Sequence, residues 1–286
     1  MTSTPTPADL IISPRNRQFG RGSAQTRFWM RGDPVATAFY NALSVTFPRG
    51  EAFFIDSVRA FREGVPPRLA EEIAAFSRQE VIHSREHLAF NRRVADAGYD
   101  ATALEQRVIE RIAEVHEKPA IVSLAATMAL EHFTAILAHE LLADPWHLAG
   151  APEDVRALWQ WHAVEEIEHK GVAYDTWLHA TRTWPRFRRW QVKAKVMLLV
   201  TRNFFVDRTR GMLDLLRQDG LSGPSLWARM FWFAFVRPGM MRKVLGAWLE
   251  YFLPGFHPWR RDDRALIRQA EAAGSDQSAA AGLAPA

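Results

Sequence analysis

The sequence of 286 residues contains no cysteine. A chain without cysteine has no disulfide, no thiolate ligand for a metal and no cysteine nucleophile. Any metal site must therefore be built from carboxylate and imidazole groups, a combination that suits iron, manganese or zinc. The 32 acidic residues and ten histidines supply such groups.

Long uninterrupted apolar runs are also missing. The run "FWFAFV" is far shorter than the roughly 18 residues that cross a bilayer. Arg15, Arg17 and Arg21 are followed by no continuous apolar stretch of the kind found in a signal peptide. We therefore expect a cytoplasmic protein, with peripheral contact at the inner face of the membrane as an additional option.

Strand-like alternation of apolar and polar residues is absent, and the sequence predicts an all-α protein. Asp33 and Pro34 are typical of a helix start, and Pro48 with Gly50 should kink or restart that helix before it ends near Arg62. Further helices are predicted over 68–97, 102–117, 120–143 and 152–181. The four long helices could pack as a bundle.

Composition divides the chain into four parts. We predict an extended arm over 1–32, a helical bundle over 33–181, basic aromatic-rich helices packed on it over 182–262, and a helix end with a disordered tail over 263–286. From Arg182 to Arg217 there are ten Lys or Arg and two acidic residues, a balance of +8. Since the whole chain carries +4, the remainder sums to −4, which indicates that the basic part has a separate task.

The stretch "WHAVEEIEHKG" concentrates acidic and imidazole groups on one predicted helix. His162, Glu166 and His169 are spaced by four and three residues, so they share one face. Glu165 lies at the edge of this face and competes with His162 for a ligand position, whereas Glu168 points away. A lone Glu-x-x-His on a helix is most often solvated surface, so this motif alone does not establish a metal site.

The placement of similar groups along the chain is more informative. A four-helix site for two metals takes one Glu from each of two helices and a Glu-x-x-His from each of the other two. The chain offers this order within four separate predicted helices: Glu51, Glu80 with His83, Glu131, and Glu166 with His169. Glu131 interrupts an apolar helix, where an unpartnered carboxylate would be costly. Two divalent ions would neutralise the four carboxylates.

Other histidines are weaker candidates. His87 and His132 adjoin the proposed ligands, and residues in such positions more often support ligands or belong to the core. The sequence "HELLA" begins like a zinc-protease helix, but Ala143 stands where the second His is required.

The ligand order resembles that of the ferritin-like di-iron carboxylate proteins, and His162-x-x-x-Glu166-x-x-His169 resembles the arylamine N-oxygenases of that superfamily. "NALSVTFPRGEAFFIDSVR" and "QEVIHSREH" resemble a bacterial family called predicted metal-dependent hydrolase, over residues 15–260. These resemblances imply a ferritin-like four-helix bundle with a di-metal core and additional C-terminal helices. They also imply that Glu51, Glu80 and His83 hold one metal and Glu131, Glu166 and His169 the other, with His162 as an added ligand.

Three functions follow from such a centre. The favoured hypothesis is an O2-dependent oxidase or monooxygenase with two Fe ions (Mn or Zn as alternatives), which acts on a small or lipid-like molecule and needs an electron donor. The alternative is a hydrolase that uses a metal-bound hydroxide. The second alternative is a non-catalytic iron-binding protein.

Tryptophan and phenylalanine are interleaved with arginine and lysine through residues 182–260. This pattern is typical of helices packed on a bundle with their arginines reaching water, and also of peripheral membrane contact. Nucleic acid is not expected as a partner, and a homodimer is compatible with the sequence. "FWFAFVRPGM" is the best candidate for an exposed apolar patch.

Overall fold

The computed structural model describes residues 6–21 and 25–282, and these residues contain helices and no strand, which confirms the all-α class. The helices are α1 (Pro34–Arg59), α2 (Pro67–Asp96), α3 (Thr102–His116), α4 (Ala120–Ala143), α5 (Glu153–His169), α6 (Val172–Ala180), α7 (Arg186–Gln218), α8 (Pro224–Phe231), α9 (Met240–Glu250) and α10 (Arg264–Gly282). Short 3-10 turns follow α4 and α9, and a π-helical turn spans Trp232–Val236.

Four of these helices enclose the centre of the molecule. Helix α1 packs against α2 and α4, and α5 packs against the same two helices, so the four form a closed ring. Helix α7 lies across α1 and α4, α3 fills the space between α1 and α7, and α9 packs on α4. This is the four-helix arrangement that the sequence predicts; membership of the ferritin-like superfamily itself stays a prediction.

Helix α1 continues through Pro48 where the sequence predicts a kink or restart. Proline has no backbone N–H, so the carbonyl of Ser44, one turn earlier, loses its helical partner. The side-chain amide of Asn91 on α2 donates to that carbonyl at 3.2 Å instead. The hydrogen bond that Pro48 removes from α1 is thus replaced by one between α1 and α2, made at Ser44, seven residues before Glu51.

The helix predicted over 152–181 is broken, because α5 ends at His169 and α6 begins at Val172. Gly171 lies at the break, where an added Cβ would come within 2.7 Å of the Thr6 hydroxyl and 3.1 Å of the Trp259 ring. Glycine therefore allows the N-terminal arm and the C-terminal segment to approach the chain immediately after the last proposed ligand.

Helix α10 (Arg264–Gly282) lies in the segment 263–286, for which the sequence predicts a helix end and a disordered tail; the tail stays a prediction. The alanines of this stretch have high helix propensity, which favours continuation of the helix. Residues 283–286 lie outside the described residues.

Helix α4 is the one helix of the described residues that is long and apolar enough to cross a membrane, by length and composition alone. Two thirds of its most apolar window (67%) is buried within the protein. It packs against α1, α5 and α7 and is therefore a core helix of the bundle, which accounts for the apolar composition seen in the sequence.

Candidate metal centre

The structure brings together all seven side chains that the sequence proposes as metal ligands. They form three overlapping groups, in each of which the potential ligand atoms lie within 4.8 Å of one another. The groups are Glu51, His83 and His162; Glu80, Glu131 and His169; and Glu80, His83 and Glu166. All seven side chains are buried.

The distances divide the centre into two poles with shared carboxylates between them. At one pole, His162 Nε2 lies 2.8 Å from Glu166 Oε1 and 3.8 Å from Glu51 Oε1. At the other pole, His169 Nε2 lies 3.2 Å from Glu80 Oε1 and 3.3 Å from Glu131 Oε2.

Glu80 and Glu166 lie between the poles. His83 Nδ1 is 3.9 Å from Glu80 Oε2 and 3.6 Å from Glu166 Oε1, and the other oxygens of these two carboxylates face His169. His83 groups with Glu51 and His162 at the first pole, so each of the two carboxylates reaches both poles, whereas the resemblance assigns Glu80 to one metal and Glu166 to the other.

Most inner atoms of this centre lack hydrogen-bond partners among the described residues. Eight buried atoms are in this position: Glu51 Oε1, both oxygens of Glu80, His83 Nδ1, both oxygens of Glu131, Glu166 Oε2 and His169 Nε2. Buried polar groups are nearly always hydrogen-bonded, and unsatisfied ones need an explanation. Carboxylate oxygens and imidazole nitrogens around two adjacent points are suitable ligands for two divalent cations.

Without a metal ion, bound protons reduce the repulsion among the buried carboxylates of the centre. Burial, and next the neighbouring Glu80, raise the pKa of Glu51 well above its usual range. Burial would lower the pKa of His83, but its interactions with Glu165 and Glu80 raise it to about 10. A metal ion would have to displace such protons, so binding is expected to release protons and to depend on pH.

Two of the histidines are oriented by hydrogen bonds on their outer side. His83 Nε2 lies 2.9 Å from Glu165 Oε2, which leaves Nδ1 directed to the centre. His169 Nδ1 lies 3.0 Å from Gln79 Oε1, which leaves Nε2 directed to the centre. Outer partners of this kind fix the tautomer of a metal-binding histidine and its ring orientation. Glu165, which competes with His162 in the sequence-based prediction, thus contacts the back of a histidine.

Arg15 of the N-terminal arm joins these two outer contacts. Its backbone N–H donates to Glu165 at 2.9 Å, and its guanidinium donates to Glu168 at 2.6 and 2.9 Å. Glu168 in turn accepts from the Gln79 amide at 2.9 Å. One arm residue therefore connects to the supports of both His83 and His169.

The tautomer of His162 follows from a chain of hydrogen bonds that begins at Ser44. The Ser44 hydroxyl donates to Asn91 Oδ1 at 2.6 Å, so it can only accept from His87 Nδ1 at 2.8 Å. Burial, followed by the neighbouring His162, lowers the pKa of His87 well below its usual range, so its ring is neutral. His87 Nε2 then accepts from His162 Nδ1 at 2.7 Å. In this arrangement the lone pair of His162 Nε2 faces the carboxylate oxygen Glu166 Oε1 at 2.8 Å, a contact between two acceptors that a bound cation would relieve.

Sequence reasoning missed most of this supporting layer. Arg15, Gln79 and Ser44 carry no motif, because their roles depend on partners that are distant in sequence. His132 points away from the centre and contacts the Ala247 carbonyl at 3.1 Å, and His139 lies 2.9 Å from Asp263.

An apolar cavity of about 230 Å³ adjoins the centre. Glu51, His162 and Glu166 line its inner end, and aromatic and aliphatic side chains of α1, α3, α4 and α7 form most of its wall. Its lining residues on α3 and the nearby turns of α7 are partly exposed, so the cavity approaches solvent between these helices.

A protein-family model described as "Predicted metal-dependent hydrolase" matches residues 13–262, which is 250 of the 286 residues. The chain belongs to this family. In the same comparisons, no curated protein and no solved structure matched the chain. For this member of the predicted metal-dependent hydrolases, the matched segment includes all seven candidate ligands, Arg15 and the cavity. The family description supports metal dependence and the hydrolase alternative; it gives no support to an oxygenase, to iron or to a number of metal ions.

Proposed function

We propose that this protein is a metal-dependent enzyme that holds two divalent ions between α1, α2, α4 and α5 and acts on a small apolar or lipid-like molecule in the adjoining cavity. The observation that carries the proposal is the convergence of eight buried and unsatisfied ligand atoms from Glu51, Glu80, His83, Glu131, Glu166 and His169. Their position beside an apolar cavity distinguishes the centre from a storage or purely structural site.

Hydrolysis is the first candidate reaction, because the family description names it. Bound divalent ions supply Lewis-acid polarisation and bring the pKa of a water molecule close to neutral. Glu51, His162 and Glu166 face the cavity, so their side chains would meet the reacting end of the substrate. The apolar wall would exclude bulk water and favour an ester or amide with a hydrocarbon body.

The test uses full-length protein purified without added metal, analysed for bound metals and then loaded separately with zinc and with ferrous iron under argon. We expect about two ions per chain and cleavage of 4-nitrophenyl octanoate by the zinc-loaded protein. His83→Ala should lose both metal and cleavage, and His179→Ala, outside the centre, should retain both. A wild-type protein that binds no divalent metal would refute the proposal.

O2-dependent oxidation is a second candidate, favoured by the lining of the cavity. Near the centre, the titratable groups of the described lining are the candidate ligands Glu51, His162 and Glu166 themselves. No separate acid is therefore available there to protonate the leaving group in hydrolysis. A dry apolar cavity would suit oxidation of an unreactive hydrocarbon or amine, with electrons from an external donor.

The two reactions differ in their need for electrons. The oxidation hypothesis predicts O2 uptake by ferrous protein, with renewed uptake after a reductant is added. Hydrolysis predicts equal product under argon and air and activity with redox-inert zinc. O2 uptake without any ester or amide cleavage would decide for oxidation, and cleavage under argon without O2 uptake would decide for hydrolysis.

A further inference from the structure

Arg208 of α7 is a buried cation that lines the cavity away from the metal centre. Its side chain is 9% exposed, and its one hydrogen bond among the described residues is donated to the Ala42 carbonyl. Its Nε is buried without a partner. A buried guanidinium is normally paired with an anion, because charge is costly to remove from water.

The neighbouring acidic residue does not satisfy this need. Asp207 pairs with Arg111 at 3.4 Å, and within the part of the chain that the structure describes no carboxylate oxygen lies within the 4.0 Å limit of an ion pair with Arg208. Burial lowers the pKa of Arg208 to about 10, so the guanidinium remains charged at neutral pH. The cavity therefore combines an apolar wall with a guanidinium that lies 5.8 Å from the centre of the Phe204 ring and that no described carboxylate pairs with directly.

Arg208 of α7 contacts α1 at a point that is distant from the metal centre. Arg208 contacts Ala42, and Glu51 follows nine residues later, which at 1.5 Å per residue is a separation of roughly 13 Å along the helix. Phe47, Phe54 and Leu130 are among the apolar residues of the cavity wall. A ligand that reaches both places must be amphipathic, with an anionic group and an extended apolar body.

We propose that the cavity binds a medium-chain carboxylate, with its carboxylate on Arg208 and its hydrocarbon body directed to Glu51, His162 and Glu166. Arginine suits this role because its planar fork of donors matches the two oxygens of a carboxylate. This proposal adds a substrate class to the proposed function. It rests on that function in one respect only, namely that the far end of the ligand lies at the metals. The reacting position would then be at the end of the chain remote from the carboxylate.

Calorimetric titration of the full-length protein with decanoate and decanol tests this site. We expect decanoate to bind at least tenfold more tightly than decanol, because only decanoate pairs with Arg208. Arg208→Gln should weaken decanoate binding tenfold or more and leave decanol binding unchanged. Arg210→Gln is the matched control, since it removes the same charge from an exposed position on the same helix.

The comparison of decanoate with decanol needs no variant, so it stays informative if Arg208→Gln does not fold. Equal affinity for the two ligands would overturn the proposal, as would full decanoate binding by a folded Arg208→Gln protein. Decanoate binding that disappears on chelation but survives Arg208→Gln would place the carboxylate on the metals and also overturn it. Failure of metal binding alone would refute the proposed function and leave the Arg208 site standing.

Discussion

Glu131 is a carboxylate in the middle of the most apolar helix of the bundle, and in the described part of the chain its polar neighbour is His169, whose Nε2 lies 3.3 Å from Oε2 without a hydrogen bond of good geometry. Without metal it destabilises the fold, because it is one of four carboxylates that are buried together in the centre. With metal it becomes a ligand that stabilises the folded state. Its effect on stability should therefore change sign with metal loading.

Glu131→Gln tests this reversal. The metal-free variant should unfold at a higher temperature than metal-free wild type, by about 2 kcal/mol or roughly 4–8 °C, because a buried acidic group has been removed. The metal-loaded variant should unfold at a lower temperature than loaded wild type and should hold fewer than two ions. Calorimetry and metal analysis of both forms give the answer, and the same shift in both forms would show that Glu131 is not a ligand.

His147 makes stability depend on pH independently of the metal centre. Burial, followed by Lys243, lowers the pKa of His147 to about 4, and both ring nitrogens lack partners. The unfolded chain therefore binds a proton near pH 6.5 that the folded protein does not bind until about pH 4. The stability from neutral His147 is complete above pH 6.5 and decreases as the pH falls to 4.

Denaturant unfolding at pH 7 and pH 5 measures this contribution. Wild type should lose about 1–2 kcal/mol more than His147→Leu over this interval, because the variant has no proton to gain at that position. Parallel pH profiles for the two proteins would show that residue 147 is not the source of the dependence.

At the scale of elements, the N-terminal arm stiffens the centre from outside. Arg15→Met removes the guanidinium that holds Glu168, and it leaves every candidate ligand in place. We expect metal affinity to fall about tenfold, the lower range for changes behind metal-binding residues, as measured by competition with a chelator. Arg17→Met, two residues away and exposed, is the control. Equal metal affinity of Arg15→Met and wild type would show that the arm covers the centre without affecting metal binding.

The helices and the seven inward-facing side chains could be predicted because both depend on spacing within one helix. Glu80 and His83 share a face by helical geometry, and a carboxylate inside an apolar helix is visible in the sequence. The contact between Arg15 and Glu165 spans 150 positions, and no local pattern encodes it. The break at Gly171 escaped prediction for the same reason, since its cause is the approach of Thr6 and Trp259.

The whole molecule presents an aromatic surface formed by Trp227, Phe231, Trp232 and Phe235, whose side chains are all exposed. Residues 227, 231 and 235 recur at steps of four, so they share one side of α8 and the following π-helical turn. Arg237, which is exposed and directly follows this turn, supplies positive charge beside them, whereas Arg229 pairs with Asp33 at 3.3 Å. We propose that this surface lies in the interface of an anionic membrane, as the sequence-based expectation of peripheral contact suggests.

Sedimentation with vesicles of phosphatidylserine and phosphatidylcholine checks this proposal. Phe231→Ser should reduce binding several-fold, and Leu88→Ser, which removes an exposed apolar side chain from α2, should not. Higher salt should weaken the electrostatic part of binding. Vesicle binding that is unchanged in Phe231→Ser would refute the proposal. A wild-type protein that binds no vesicles would also refute it, and dimers that Phe231→Ser dissociates would then assign the surface to a second copy of the chain.

The N-terminal arm is synthesised well before the residues on α5 that Arg15 contacts. Arg15 emerges from the ribosome 150 residues before Glu165, so at 5–20 residues per second it waits roughly 8–30 s for its binding surface. Glu165, Glu168 and the last candidate ligand, His169, then appear within five consecutive positions. Translation therefore completes the ligand set and the partners of Arg15 at almost the same moment, so the contacts of Arg15 with Glu165 and Glu168 form only when the last candidate ligand is being made.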